Sequence, residues 1–335
     1  MTLSESILTF EGAAVGELSK SGMMHMHIQW PEGKEFAFTL FDDTDLQTLG
    51  NARDVYAFLA DIGLRTTKSV WPIRGPKSPG VGGSTCEDEP YLQWVLRLQE
   101  QGFEIGLHNV TYHTSQRAET IYGMERFRAL FGHYPYSMAN HTGCYEGIYW
   151  GNYRFTGAHE IFYNLLLRNK NKGVFQGHVE KSPLFWGDIC KEKIKYVRNF
   201  IYNDINTLKL CPFMPYHDKG RPYVNYWFAS SEGPEVNAFV STIAEKNQDR
   251  LAQEGGACIM YTHLACGFYE NGRIHERFKF LMERISRMNG WFVPVHTLLD
   301  YLQKINGHCD ITNHGRKLLE RKWFLHKILK MRGTT

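Results

Sequence analysis

The sequence predicts an α/β protein with a mostly parallel sheet, either closed into a barrel or doubly wound. From Phe36 onward, short runs of apolar and β-branched residues alternate with amphipathic helical patterns, which is typical of this class. Three of the apolar runs are followed directly by polar clusters, and the functional groups of such folds lie where the strands end. The 335 residues, 43% of them apolar, are enough for one large core.

Hydrophobic periodicity predicts the elements in chain order. Residues 1–35 alternate between apolar and polar side chains around turn residues, so we expect an N-terminal β-hairpin. The predicted strands are 36–41, 65–73, 103–107, 257–262 and 291–295. The predicted helices are 46–59, 91–98, 236–243 and 278–285. Residues 140–230 are rich in glycine, proline and aromatic residues, which is typical of long loops that shape a substrate cleft.

Composition argues against several classes of protein. The 38 basic and 35 acidic residues give a net charge of +3, without the general basic surface that nucleic acid requires. The seven cysteines form no CxxC pair, so we expect reduced thiols. The N-terminal segment lacks a signal-peptide pattern, and no stretch approaches the roughly 20 apolar residues that span a bilayer. We therefore expect a soluble, cytoplasmic, globular protein.

Two adjacent carboxylates, Asp42 and Asp43, end the strand predicted over 36–41, and Thr44 and Asp45 follow them. Neighbouring carboxylates repel each other, and a cation or a shared proton normally resolves the repulsion. Their side chains should point in different directions along an extended chain, so one could bind a metal while the other acts as a base. The alternative is a helix cap, in which Asp43 or Thr44 starts a helix at Asp45.

A pair of histidines, His108 and His113, follows the strand predicted over 103–107. Imidazole is the most common side-chain ligand of zinc, and two histidines with a carboxylate form a usual catalytic set. Positions five apart lie about 140° apart around a helix. The two rings can therefore share a metal only if the segment between them is not helical. The alternative is two surface histidines at a strand–helix junction.

A further histidine, His263, follows the strand predicted over 257–262. At a strand end it would project towards the same rim as the other two clusters, where it could protonate a leaving amine as a general acid. Taken alone, a single histidine is more often structural. Because the three clusters follow separate strands, however, one fold can bring them together.

These segments resemble motifs of the polysaccharide deacetylases, carbohydrate esterase family four, over about residues 36–302. FTLFDDTD is similar to the family's first motif, GFEIGLH to its second and MYTHL to its last. FVPVHTLLDYL is similar to the closing strand and helix. The resemblance implies a distorted (β/α)7 barrel over residues 36–305, preceded by a β extension (1–35) and followed by a basic helical tail (306–335).

The resemblance also implies roles for individual residues. Asp42 corresponds to the base and Asp43 to the metal-binding carboxylate, with His108 and His113 as the other ligands and His263 as the general acid. One divalent metal ion would be bound, with zinc expected and cobalt or nickel as alternatives. We predict a deacetylase that removes an N-acyl group, N-acetyl above all, from a sugar or glycoconjugate precursor.

The sequence departs from the family pattern at three places. The histidine pair is one residue further apart than usual, so His141 is the first alternative to His113 as a ligand. The stretch GHYPYSMANHTGCYEG lacks the arginine of the third motif, whose part Asn140 or His141 could take. Trp186 and Asp188 represent the Asp and Trp pair of the fourth motif.

Two other functions fit the same residues. One is hydrolysis of another amide, such as a ureide or a formylated amine, on a non-sugar or lipid-linked substrate. The other is a sugar-binding protein that has lost catalysis, which the missing arginine would explain. The expected partner is a carbohydrate or glycoconjugate and not nucleic acid, and the sequence makes no prediction of the oligomeric state.

The C-terminal segment 315–332 carries seven basic residues and one acidic residue between apolar side chains. This pattern predicts a basic amphipathic helix. Such helices bind anionic membranes, which would place the protein peripherally at the inner membrane surface. The alternative, which we favour, is a terminal helix docked on the barrel with solvated lysines.

Overall fold

The computed structural model describes residues 28–76 and 81–332, without the side chains of 328–332, and these residues contain ten strands and eleven α-helices. The strands are β1 (Phe36–Asp42), β2 (Thr67–Val70), β3 (Glu104–Leu107), β4 (Ser137–Met138), β5 (Tyr196–Tyr202), β6 (Tyr226–Glu232), β7 (Ala257–Thr262), β8 (Tyr269–Glu270), β9 (Arg273–Ile274) and β10 (Gly290–Trp291). The helices are α1 (Leu49–Asp61), α2 (Glu89–Glu100), α3 (Arg117–Phe131), α4 (Ala158–Leu166), α5 (Gly187–Lys193), α6 (Thr207–Leu210), α7 (Val236–Thr242), α8 (Glu245–Gln253), α9 (Glu276–Ser286), α10 (Val295–Asn306) and α11 (Asn313–Arg332).

Seven parallel strands close into a barrel. Strands β1 to β7 are hydrogen-bonded to one another in chain order, and β7 pairs back with β1. The pairing that closes the barrel runs from Ala37 opposite Ala257 to Asp42 opposite Thr262. Strand β10 pairs with the beginning of β1 at Phe36. The predicted seven-stranded α/β barrel is therefore confirmed.

The burial of β1 explains its continuous apolar sequence. All seven of its residues are buried, because the barrel interior covers one face and the surrounding helices cover the other. Helix α1 buries Val55, Tyr56 and Leu59 against this core. The C-terminal ends of the strands consequently face the same rim, and the loops that follow them carry the polar clusters.

Several element boundaries differ from the predicted ones. Helix α1 begins at Leu49 with Thr48 as its N-cap, so Asp43 and Thr44 do not cap a helix. The strand predicted over 291–295 shortens to β10, because Pro294 has no N–H for the ladder and instead precedes α10. The helix predicted over 236–243 ends at Thr242, and α8 follows it as a separate helix.

The C-terminal helix α11 docks on the barrel. Its buried apolar side chains are Leu319, Trp323 and Phe324. The Tyr202 hydroxyl donates a hydrogen bond to the carbonyl oxygen of Leu319 over 3.1 Å. The buried Glu320 carboxylate accepts from the Thr156 hydroxyl at 2.9 Å and lies 2.6 Å from His159 Nδ1. The predicted helical tail is confirmed, and its largest described apolar side chains contact the protein rather than solvent.

Most of the predicted N-terminal hairpin, residues 1–27, lies outside the described residues, and 28–35 contain the 3-10 helix Pro31–Gly33. Trp30 packs beside Trp291, with 6.1 Å between ring centroids. Within the described part of the chain, no helix has both the length and the apolar character to cross a membrane.

Docking of α11 can be tested by comparing two leucines of the same helix. Leu319→Ala is expected to lower the free energy of unfolding by about 2–5 kcal/mol, because it removes a fully buried side chain. Leu325→Ala, at an exposed position, should change it by less than about 0.5 kcal/mol. Urea unfolding of the full chain measures both. Equal, small effects would show that α11 does not pack on the barrel in solution.

Candidate active site

Three side chains that follow β1, β3 and β4 converge on one point. The potential ligand atoms of Asp45, His108 and His141, which we call the ligand group, all lie within 4.8 Å of one another. Asp45 Oδ1 is 3.2 Å from His108 Nε2 and 3.4 Å from His141 Nε2. Two histidines and one carboxylate, at the rim where barrel strands end, form a usual set of ligands for a catalytic divalent metal.

Both histidines are held with Nε2 towards the carboxylate. His108 Nδ1 lies 3.0 Å from the carbonyl oxygen of Ala139, which can only accept, so Nδ1 donates to it and Nε2 is the nitrogen directed at Asp45. Trp71 Nε1 donates to the His108 carbonyl oxygen over 2.8 Å. His141 Nδ1 lies 3.4 Å from Cys144 Sγ. These contacts orient the two rings before any ligand binds.

The negative charge of Asp45 and the neutral form of His141 are suited to binding a cation. Asp45 Oδ1 is buried and accepts no hydrogen bond within the described residues, although two imidazole nitrogens lie close to it. Burial alone would raise the pKa of Asp45, but His108, His263 and His141 together hold it far below its usual range. Burial and the adjacent His108 lower the pKa of His141 to about 4, which keeps this ring in the neutral form that binds metals.

Asp43 lies beside this group and is bound by an arginine. Arg198 Nη1 donates to Asp43 Oδ1 over 2.9 Å and Nη2 donates to Oδ2, and both side chains are buried. Arg198 belongs to β5, and its guanidinium lies over the rings of Phe41 and Tyr261, 5.2 and 4.5 Å from their centroids. Two parallel hydrogen bonds fix the carboxylate in one orientation. Asp43 Oδ2 is also 3.8 Å from His108 Nε2.

Asp42, which the resemblance assigns as the base, has both carboxylate oxygens engaged inside the barrel. Its carboxylate is fully buried, and Oδ1 accepts from the Leu264 N–H at 2.9 Å. Oδ2 accepts from the Tyr56 hydroxyl at 2.7 Å and from the Gln47 amide. Burial raises the pKa of Asp42, and the nearby Lys68 ammonium opposes that rise. Both oxygens therefore connect β1 to α1 and to the loop after β7.

His113 lies in the wall of the cavity beside the ligand group. Its ring packs on Tyr112, with 4.7 Å between centroids, and against the main chain of Gly75, where a Cβ atom would approach it to 1.9 Å. Among the described residues, the histidine that groups with Asp45 and His108 is instead His141. The reason is topological: β4 is the neighbour of β3, so the residues after both strands meet at the rim.

His263 lies on the same rim, directly after β7. Its Nδ1 is 2.8 Å from the carbonyl oxygen of Pro234, to which it donates. Its Nε2 is 3.3 Å from Asp45 Oδ2 and 3.3 Å from the Tyr261 hydroxyl. Burial lowers the pKa of His263, but the carboxylates of Asp45 and Asp43 outweigh it and raise the pKa to about 9. A histidine that carries a proton at neutral pH can serve as a general acid.

The remaining residues suggested by the sequence make structural contacts. Asn140 exchanges side-chain hydrogen bonds with the main chain of the loop that follows it. Trp186 is buried, and its Nε1 donates to the carbonyl oxygen of Glu146 over 2.7 Å. Asp188 forms an ion pair with Arg117 at the surface. These residues therefore brace the loops around the rim.

A cavity of about 750 Å³ opens next to the ligand group. Asp45 and His141 lie in its wall with Tyr112, His113 and Tyr145. Its volume falls within the range of about 300–1,000 Å³ that is typical of small-molecule sites. The exposed Tyr145 ring gives the mouth of the cavity an aromatic face, on which a sugar ring could pack.

Similar backbones occur among solved structures. A polysaccharide deacetylase from Mycobacterium smegmatis has a TM-score of 0.45 and 10% identity, over 85% of this chain and 96% of that one. The PuuE allantoinase has a TM-score of 0.44 and 11% identity, over 82% and 93%. A polysaccharide deacetylase from Pseudomonas aeruginosa PAO1 has a TM-score of 0.43 and 11% identity, over 82% and 93%. No family model and no curated protein sequence matches the chain.

The sequence does not lead us to predict site roles for Asp45 and Arg198. Asp45 is interpreted from the sequence as part of a helix start, although a third carboxylate in FDDTD also fits a ligand. Arg198 is not singled out, yet it is the only charged residue within the apolar strand YVRNFIY. A lone charge in such a strand indicates a buried ion pair, because an unpaired buried charge is costly.

Metal content distinguishes the ligands that converge in the structure, Asp45, His108 and His141, from those that the resemblance implies, Asp43, His108 and His113. Purified wild-type protein incubated with zinc is expected to retain near-stoichiometric metal after dialysis. Asp45→Ala, His108→Ala and His141→Ala should each lose it, because each removes one of the converging ligand atoms. His113→Ala is the matched control and should keep it. Loss in His113→Ala with retention in His141→Ala would restore the assignment from sequence.

Proposed function

We propose that this protein is a metal-dependent hydrolase that removes an N-acyl group, above all N-acetyl, from a sugar or glycoconjugate. The observation that carries the proposal is the position of Asp43. Its carboxylate is fixed by Arg198 and lies beside His108 of the convergent ligand group. A base held next to a metal site, with a histidine acid on the same rim, is an arrangement suited to amide hydrolysis.

The proposed metal ligands are Asp45, His108 and His141, and zinc is the expected ion, with cobalt or nickel as alternatives. A divalent metal bound there would polarise the acyl carbonyl group and lower the pKa of a water molecule. The protein prepares the site by directing Nε2 of both histidines at Asp45, and the lowered pKa of His141 keeps that ring neutral.

In this proposal Asp43 is the base. Each carboxylate oxygen accepts one hydrogen bond from Arg198, and a second lone pair on either oxygen remains able to take the proton of the attacking water. Arg198 is a positioning residue, since it holds the carboxylate in the orientation needed for that transfer. Asp42, with both oxygens already engaged inside the barrel, supports this arrangement structurally.

His263 is the proposed general acid. Because Nδ1 donates to Pro234, the proton available to a leaving amine is the one on Nε2, which faces Asp45. The leaving amine would have to occupy the space between His263 and the ligand group. His263 follows β7 and Asp43 follows β1, which pairs with β7, so the proposed acid and base lie on neighbouring strands of the rim.

The sugar-binding alternative loses its main support. It rests on the arginine missing from the stretch before Gly147, and Arg198 supplies an equivalent partner to Asp43 from another strand.

The choice between a sugar and another amide depends on the cavity. Its volume and the exposed Tyr145 ring favour a carbohydrate over a small ureide.

The two aspartates can be distinguished by mutation. Asp43→Asn is expected to lower kcat roughly 10²–10⁴-fold, because it removes a general base, and to leave the metal content unchanged. Asp43→Asn should also lower the free energy of unfolding, because it leaves Arg198 buried without its charged partner. Asp42→Asn should lower the free energy of unfolding by about 1–3 kcal/mol, because an amide cannot accept all three buried hydrogen bonds, while the folded variant remains active. Acetate release, metal content and urea unfolding are measured for both variants. A stable, inactive Asp42→Asn beside an active Asp43→Asn would reverse the assignment.

A substrate panel tests the reaction itself. The zinc-loaded wild type should release acetate from N-acetylated oligosaccharides and leave an N-formylated amine and a cyclic ureide intact. His263→Gln should lower that rate roughly 10²–10⁴-fold, because the leaving amine loses its acid. Turnover of the ureide or formyl compound alone would favour the other amide hydrolase. Metal binding with sugar binding but no turnover would favour the binding protein.

A further inference from the structure

Helix α4 exposes a row of large apolar side chains. Ile161, Phe162, Leu165 and Leu166 are 71%, 44%, 72% and 41% exposed. Their spacing places them on one side of the helix, while Tyr163 is buried on the other. Single exposed apolar residues are common on soluble proteins, but contiguous groups mark surfaces that bind a partner.

Three cations follow this apolar row directly. Arg168, Lys170 and Lys172 are exposed and, within the described residues, form no ion pair with a carboxylate. Hydrogen-bonded turns hold them next to the helix end, since Arg168 N–H donates to Leu165 and Lys170 N–H to Leu167, each over 3.0 Å. The sequence has no Asp or Glu from Ile161 to Val179, so the surface is apolar and positive.

The helix is also fixed on the protein. The Phe162 ring lies edge-on to Phe324 of α11, with 5.1 Å between centroids. At the beginning of α4, His159 Nδ1 lies 2.6 Å from the buried Glu320 carboxylate of α11. The exposed row is therefore the outer face of an anchored helix rather than part of a loose segment.

We propose that α4 and the loop after it, the α4 surface (Ile161, Phe162, Leu165, Leu166, Arg168, Lys170 and Lys172), bind an anionic lipid membrane. Apolar side chains on one helix face enter the boundary between headgroups and acyl chains, and flanking cations bind anionic headgroups. This assignment differs from a tail anchor over residues 315–332, because the aromatic side chains of α11 are buried in the protein.

Charge favours a membrane over a second copy of the chain. A two-fold contact centred on α4 would bring the same basic loop of both copies to one interface, where no acidic residue of this surface could neutralise it. A stable interface also buries about 800 Å² on each partner, far more than four partly exposed side chains provide. An anionic bilayer satisfies both the apolar and the positive part of the surface.

The α4 surface is linked to the active site along the chain. The connection from β4 to α4 contains His141 of the ligand group and Tyr145 of the cavity wall, so the surface and the site belong to one segment. The inference nevertheless stands independently of the proposed function, since it rests on the composition and exposure of α4.

Vesicle sedimentation of the full chain tests the inference. Wild-type protein is expected to bind phosphatidylcholine vesicles that contain phosphatidylglycerol, and to bind pure phosphatidylcholine vesicles or high-salt samples weakly. Ile161→Ser/Leu165→Ser should weaken binding about tenfold or more, because apolar area is lost. Replacement of Arg168, Lys170 and Lys172 by Gln should weaken it roughly fivefold for each cation. Circular dichroism melts check that the variants remain folded.

Two matched controls locate the surface. Phe280→Ser removes an exposed aromatic side chain from α9, and Lys317→Gln/Arg321→Gln removes two exposed cations from α11. Both should bind vesicles as the wild type does. Unchanged binding in the α4 variants, equal loss in the α11 control, or absence of wild-type binding would overturn the inference. Self-association that Ile161→Ser/Leu165→Ser abolishes, without vesicle binding, would assign the surface to a second copy instead.

Discussion

The buried ion pair between Asp43 and Arg198 is the interaction on which the site depends. It joins β1 to β5 across the barrel, and both partners are nearly inaccessible to solvent. Removal of either partner would leave an uncompensated buried charge, which costs roughly 3–5 kcal/mol in other proteins. Because Arg198 occupies both oxygens of Asp43, this carboxylate is fixed beside the ligand group, and Asp45 is the carboxylate that faces the two histidines.

Three acidic residues in one short segment take three different positions because their surroundings differ. Asp42 points into the packed region around Tyr56, and Asp43 meets Arg198. Asp45 faces the rim. Lys68 helps to make this density of carboxylates tolerable: burial lowers its pKa to about 8, while Asp42 and its neighbours favour its charged form. The segment is thus stabilised by two buried cations and by the proposed metal site.

Docking of α11 and exposure of α4 belong to the same packing arrangement. Phe324 of α11 and Phe162 of α4 are in ring contact, and Glu320 lies against His159. Burial of the α11 aromatic residues removes them from solvent, whereas the outer face of α4 remains exposed and apolar. The basic tail, for which the sequence favours docking on the barrel over membrane binding, therefore serves as a support, and the membrane surface we propose lies on the helix that it supports.

The sequence by itself determined the class of fold, the positions of β1, β3 and β7, the helical tail, and the placement of His108 and His263 at strand ends. These features follow from local periodicity, which reports which residues lie in a strand and where it stops. Only the tertiary structure decided which acidic residue meets the histidines, that His141 replaces His113 in the group, and that Arg198, 155 residues along the chain from Asp43, orients it. The physical reason is that these choices depend on distances between different strands and loops around a closed barrel, which a one-dimensional pattern does not contain.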